Sequence, residues 1–230
     1  MLLHDVLCSV GSYLQVSKSG VLTTRRDSNK IWNWTGLPRP GINITASQMH
    51  HTPYVYSIVQ LRDKSFVAGV WIQENNAPAH MGPDGLWTPG TLVAFKSTDG
   101  FNYKFASTIL NYTAIPFSAF GPNEHDLSLL ADGKTLMAAI RPSGDGPCIT
   151  KSYRYYYQAY SSDSGLSWDK ARPIEGAGCA RPRLLLLEPA GPLLLSGGRL
   201  CMEKTSDMFL WCARPRVVHS SPFGSTVTVV

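Results

Sequence analysis

The sequence predicts an all-β fold, and three observations carry that expectation. Short apolar segments punctuated by Gly, Asp, Asn and Pro recur along the 230 residues, with no sustained helical period among them. Hydrophobic residues make up 43% and charged residues 16%, with 20 Gly and 16 Pro, a balance that suits a turn-rich globular chain rather than a disordered or coiled-coil one. A pattern of strand, polar turn and strand also appears three times.

The three copies are YSIVQLRDKSFVAGVW (Tyr56 to Trp71), HDLSLLADGKTLMAAIR (His125 to Arg141) and PRLLLLEPAGPLLLSGGR (Pro182 to Arg199). Asp132-Gly133 is the strongest hairpin signal, because it tolerates the positive φ that tight hairpin turns require. Each copy is followed by at least one further strand: GTLVAFKSTDGFNYK, then SYRYYYQAYSSDSGLSWDK, then TSDMFLWCA. Leucines just before the turns mark the register at Leu61, Leu130 and Leu187, spaced 69 and 57 positions apart. Units of about 40–50 residues with four strands, lengthened by loop insertions, are the mark of a β-propeller. One blade cannot bury both faces of its sheet and needs neighbours. A β-sandwich also has short strands, but does not predict this hairpin-then-strand order.

Composition narrows the partners. Net charge is +5, but the basic residues are scattered and form no polybasic run, so nucleic acid is not an expected partner. A modestly basic surface suits an anionic small substrate. No two of the five cysteines have CxxC spacing, and His50, His51 and His80 lack a carboxylate or Cys at ligand spacing, so neither a metal nor an organic cofactor is expected. No phosphate-cradling GxGxxG or GK[ST] loop is present, and Ser162 and Ser164 form no G-x-S-x-G elbow. The N-terminus has His4 and Asp5 where a signal peptide needs an apolar core, and no apolar run reaches membrane-helix length. The expectation is a soluble chain without a transmembrane segment. Sequons at Asn33, Asn43 and Asn111 keep a secretory compartment open, and the oligomeric state is unspecified.

Ser161, Asp163, Gly165 and Trp168 resemble the Asp-box, or BNR repeat, S-x-D-x-G-x-x-W, of the sialidase superfamily. Ser97, Asp99, Gly100 and Tyr103 resemble a shortened copy. In such a box the Ser and Asp side chains bond turn backbone, Gly supplies unusual φ/ψ, and the aromatic residue packs under the blade. The resemblance therefore implies a structural role on turns away from substrate.

It also points upstream. The run GPNEHDLSLLADGKTLMAAIR is similar to the sialidase segment in which a Glu opens a blade, an L-x-D-G turn follows and an Arg ends the next strand. By position Glu124 matches the catalytic glutamate and Arg141 one member of the arginine triad; Arg199 ends the third hairpin as Arg141 ends the second, and is a further anion-binding candidate. The chemistry fits, since guanidinium binds a sugar carboxylate bidentately and stays charged. Retaining sialidases use a Tyr nucleophile, and a phenol with a pKa near 10 benefits from a neighbouring Glu as base. The bland alternative makes Glu124 a solvated loop residue and pairs Arg141 with Asp145 or Asp126.

The resemblance is clearest from 56 to 199, with residues 214–230 an atypical tail, so the expectation is one partial sialidase-like domain over 1–230, about four blades of a six-bladed propeller. It implies a glycoside hydrolase acting on terminal sialic acid or a related acidic sugar of a sialylated glycan. The alternative is a catalytically inactive Asp-box propeller that binds carbohydrate or protein. No Tyr is assigned as nucleophile, and neither TTRRDSN nor LPRPG matches the family's early Arg.

Overall fold

The computed structural model describes residues 13–16, 22–25, 33–35, 54–73, 80–82, 85–87, 89–115, 118, 120–143, 155–178, 180–187, 191–198 and 208–213. Its strands in chain order are β1 (Tyr13–Val16), β2 (Leu22–Arg25), β3 (Asn33–Thr35), β4 (Tyr54–Gln60), β5 (Phe66–Gln73), β6 (His80–Gly82), β7 (Gly85–Trp87) and β8 (Gly90–Ser97). They continue with β9 (Asn102–Leu110), β10 (Gly121–Leu129), β11 (Leu136–Ser143), β12 (Tyr156–Ser161), β13 (Arg172–Ile174), β14 (Ala180–Leu186), β15 (Leu193–Gly198) and β16 (Met208–Ala213). A single 3-10 turn at Tyr112–Ala114 is the helical element among the described residues. No helix there is long and apolar enough to cross a membrane.

Three sheets carry the architecture, ordered β3-β9-β8-β5-β4, β10-β11-β12-β13 and β14-β15-β16. Pairing is antiparallel throughout except for β3, which runs parallel to β9. The repeated segments of the sequence are the hairpins β4–β5, β10–β11 and β14–β15, and β8, β12 and β16 follow them in the same order. The innermost strand of the middle sheet, β10, lies against both β4 and β14. The result is an all-β arrangement consistent with partial propeller blades.

Alternation along β11 shows how two cores arise from one strand. Leu136, Ala138 and Ile140 join the cluster shared with the first sheet, beside Val67, Leu92 and Leu127. Met137 and Ala139 point the other way, into a cluster with Tyr156, Ile174, Leu193 and Leu195. Strand side chains alternate faces, so a strand covered on both sides reads as a continuous apolar run, here LMAAI. Fully burying one such side chain contributes roughly 1.5–3 kcal/mol. Ile140→Ala, at a wholly buried position, would cost about 2–5 kcal/mol.

The Asp132-Gly133 turn is a four-residue loop, ADGK. Leu130 N donates to Thr135 O at 2.8 Å, leaving residues 131–134 as the loop. Asp132 Oδ1 accepts from both Lys134 N and Thr135 N at 2.9 Å, which holds the loop, with Gly133 at φ 64°.

Each inner strand bulges near its start: β4 between Val55 and Ser57, β10 between Pro122 and His125, β14 between Ala180 and Arg183. Past the bulges a repeated bond ties the sheets together. Ser57, four residues before Leu61, accepts from Leu127 N at 3.1 Å; Asp126, four before Leu130, accepts from Leu184 N at 2.8 Å. Leu127 and Leu184 each lie three before their own turn leucine. Side chains of one sheet thus satisfy the open backbone edge of the next, which burial would otherwise leave unpaired. Among the described residues the series stops at the third hairpin: Arg183 and Leu185 on β14 and Leu187 just after it are exposed, whereas Ser57, Leu61, Asp126 and Ser128 are buried.

Candidate functional site

The bulge in β10 sets two residues, Asn123 and Glu124, against Arg141 on β11. Bulges re-aim side chains and gather next to functional sites. Here Arg141 Nη1 donates to Glu124 Oε2 at 2.5 Å, with side-chain exposures of 13% and 10%. Glu124 is therefore a buried strand residue rather than a solvated loop residue, and Arg141 pairs with it.

A third group completes the cluster. Arg181, in the bulge of β14, donates its backbone N–H to the same Oε2 at 2.9 Å, and its Nε lies 3.4 Å from Oε1. Burial works against the Glu124 charge, but the Arg141 guanidinium and the Arg181 N–H and guanidinium outweigh it, so the carboxyl stays below its usual range. Two cations around one carboxylate leave a net positive centre.

Tyr156 supports the cluster from below. Because Ile140 pairs with Tyr157, Tyr156 stands beside Arg141, where it is wholly buried. A Cβ on Gly197 would lie 1.9 Å from the Tyr156 hydroxyl, so only glycine lets the phenol reach across to β15. Burial pushes this hydroxyl well above the usual phenol range.

The flanking groups on β10 do different work. Asp126 Oδ2 accepts from Leu184 N, Oδ1 accepts from Leu127 N at 3.0 Å, and burial pushes its carboxyl up. His125 points to the opposite side, where its ring packs edge-on against Tyr56 at 5.1 Å and Nδ1 donates to Asn123 O at 3.0 Å. Complete burial holds this imidazole down, to about 4.

The serine, aspartate and glycine turns lie at the other end of the blade. Asp163 Oδ1 accepts from Ser161 Oγ, Leu166 N and Ser167 N, and Ser161 Oγ accepts from Gly165 N. Gly165, buried at φ 83°, has Val67 so close that a Cβ would crowd it at 3.1 Å. Trp168 Nε1 donates to Ser107 Oγ at 3.2 Å, and Ser107 Oγ donates to Gly165 O at 2.6 Å, latching this turn to β9. In the first sheet Asp99 Oδ1 accepts from Ser97 Oγ, Phe101 N and Asn102 N, Gly100 adopts φ 78°, and Tyr103 is buried. Ser161 pairs with Leu136, five residues along β11 from Arg141. At ~3.3 Å per residue that is about 16 Å from the Glu124 cluster.

Of the sequence candidates, Glu124 and Arg141 meet, the two turns stand apart, and Arg199 lies outside the described residues. So do His50 and His51 and the sequon at Asn43. Sequence reasoning missed Arg181, although a signal existed: Glu124 is six residues before Leu130, and Arg181 six before Leu187. No three His, Cys, Asp or Glu side chains converge among the described residues.

No family model matches the chain, and no curated protein matches it. Among solved structures it matches a protein of unknown function from Dyadobacter fermentans DSM 18053, with TM-score 0.55 and 16% identity over 89% of this chain and 52% of that one. It also overlaps "NanB plus Optactamide" (TM-score 0.47, 16% identity, 71% of this chain, 22% of that one). A "putative exo-beta-1,3-galactanase" from Bifidobacterium bifidum s17 overlaps at TM-score 0.46 and 10% identity, over 96% of this chain and 56% of that one. The chain spans about half the length of the first and third of these and less than a quarter of the second. At these identities the likeness is distant and concerns the fold alone.

Proposed function

We propose that this chain is part of a sialidase-like propeller glycosidase that binds the carboxylate of a terminal sialic acid or related acidic sugar at Arg141, with Glu124 as the base that activates a Tyr. The observation that carries the reading is the buried Arg141–Glu124 pair at the inner end of the middle blade, with more positive than negative charge around it. The exposure of Arg183 and Leu185 on β14, which no described residue covers, supports a partial propeller, because their counterparts in the other two blades are buried or half-buried.

In this reading the substrate carboxylate competes with Glu124 for Arg141. Glu124 alone is a poor base, since two cations hold its charge in place. A second carboxylate on Arg141 adds negative charge beside Glu124 and raises its affinity for a proton. Glu124 then accepts the proton of a nucleophilic Tyr, and Arg199 adds a further anion contact.

The second reading, an inactive acidic-sugar-binding module, is favoured by Tyr156. It is the phenol the fold sets beside Arg141, yet its complete burial keeps it from a sugar. Release of a fluorophore from an aryl α-sialoside decides between the two. Turnover lost in both Glu124→Gln and Arg141→Ala supports the enzyme, and sialic acid binding without turnover supports the module. Equal sialic acid affinity in wild type and Arg141→Ala removes Arg141 from the site.

A further inference from the structure

We propose that Arg181 is an outward-facing anion-binding residue of this site, anchored on Glu124 and making the first contact with the negative group of an acidic sugar. The inference rests on the acidic-sugar reading and extends it to a residue that no motif assigns.

Four observations converge on Arg181. It belongs to the bulge of β14, where residues 181 and 182 oppose Gly197 alone. Its φ is 49°, in the left-handed region that a long non-glycine side chain adopts at a cost. Strain of this kind persists where surroundings over-determine it, and it clusters at ligand clamps. Its backbone N–H and its Nε both face Glu124, so the strained backbone is fixed from two sides. Finally, its side chain is 60% exposed, against 13% for Arg141.

These facts divide the work between two arginines on one carboxylate. Arg141 is largely buried and spends its short bond on Glu124. Arg181 approaches Glu124 through Nε only, and among the described residues its Nη1 and Nη2 have no partner. A planar guanidinium held by one edge presents its other edge as a fork suited to a carboxylate. Arg183, two residues on, is also exposed and donates from Nη1 to Tyr56 O at 3.5 Å, adding positive charge on the same strand. One carboxylate, Glu124, does not neutralise Arg141 and Arg181 together, so an incoming anion finds an unbalanced cation at the accessible end of the cluster.

Arg181→Gly provides a discriminating variant. Glycine accepts φ 49° without strain and keeps the backbone N–H on Glu124, while removing the guanidinium. N-acetylneuraminic acid is titrated calorimetrically into wild type, Arg181→Gly and Arg141→Ala at low and high salt, with neutral N-acetylmannosamine as control. The expected result for Arg181→Gly is a Tm equal to or above wild type, affinity for the acid weakened by about tenfold or more, and a shallower salt dependence. Wild-type affinity in Arg181→Gly, with binding lost in Arg141→Ala, overturns this inference and leaves the acidic-sugar reading standing. No binding of the acid by wild type overturns both. A clear fall in the Tm of Arg181→Gly makes the side chain a clamp between sheets and also overturns the inference.

Discussion

Glu124 and Arg181 occupy the same register in successive hairpins, six residues ahead of Leu130 and Leu187, and they meet across the seam: Arg181 N donates to Glu124 Oε2 at 2.9 Å. The inner-strand position that carries the acid in one blade carries its cation in the next. The same contact therefore joins two sheets and builds the charged centre.

Removing the carboxylate should cost stability. Glu124→Ala leaves the largely buried Arg141 without its counter-ion and the Arg181 N–H without its acceptor, a loss of about 3 kcal/mol. The folded-state pKa of Glu124 lies below its ordinary value of 4.5, so its contribution is present above that pH and disappears as pH falls through the folded value. Urea unfolding at pH 7 should show the full gap between wild type and variant, and the gap should narrow as pH falls below 4.5. A gap that does not narrow on acidification refutes the ionic account.

The hairpins were legible in the sequence because local signals agree. Apolar runs such as LMAAI and LLLL are bounded by turn residues, and each is read within a few positions. Glu124 and Arg141 were legible only through resemblance, since alternation alone does not show that a bulge turns Glu124 toward Arg141. Arg181 is marked only by sharing Glu124's register ahead of the turn leucine, because GCARPR contains no motif and its partner is 57 positions away. The parallel pairing of β3 with β9 was equally hidden. Asn33–Thr35 is too short to alternate, and its partner strand, Asn102–Leu110, is remote in sequence.

His125 should make the fold sensitive to mild acid. Its folded-state pKa is about 4 against an ordinary value of 6.5, so between those values the unfolded chain binds more protons than the folded one. Stability is then fully present above 6.5 and falls as pH drops toward 4, by on the order of 3 kcal/mol. His125→Phe keeps an aromatic ring against Tyr56 but cannot titrate. Chemical unfolding at pH 7 and pH 4.5 should show a smaller acid loss in His125→Phe than in wild type. Equal losses would assign the acid sensitivity to other groups.

The turn at Asp163 should matter for stability and not for binding. Its carboxylate accepts two backbone amides, Leu166 N and Ser167 N, and the turn is latched to β9 through Ser107. Both Asp163→Ala and Ser107→Ala should lower the unfolding free energy by about 1–2 kcal/mol. Because the turn sits about 16 Å along the strand from Arg141, at ~3.3 Å per residue, sialic acid affinity should stay at the wild-type value in both. A tenfold loss of affinity in a variant whose Tm remains well above the assay temperature would place this turn in the site after all.

Lys64 offers a strained backbone with no ligand chemistry to justify it. It has φ 70° in the first hairpin turn, three residues after Leu61, at the position that Gly133 fills three residues after Leu130. Its N–H donates to Leu61 O at 3.0 Å, a bond that glycine preserves, and it has no ion pair among the described residues. Relief of the left-handed strain outweighs the extra freedom that glycine gives the unfolded chain, so Lys64→Gly should stabilise the protein by about 0.5–1 kcal/mol. Sialic acid affinity should not change, in contrast to Arg181→Gly, which relieves comparable strain at the expense of binding. Thermal and urea unfolding of the two variants, with titrations of the acid alongside, checks the contrast. If Lys64→Gly is less stable than wild type, positive φ at this turn is not a source of strain, and the comparison with Arg181 loses its basis.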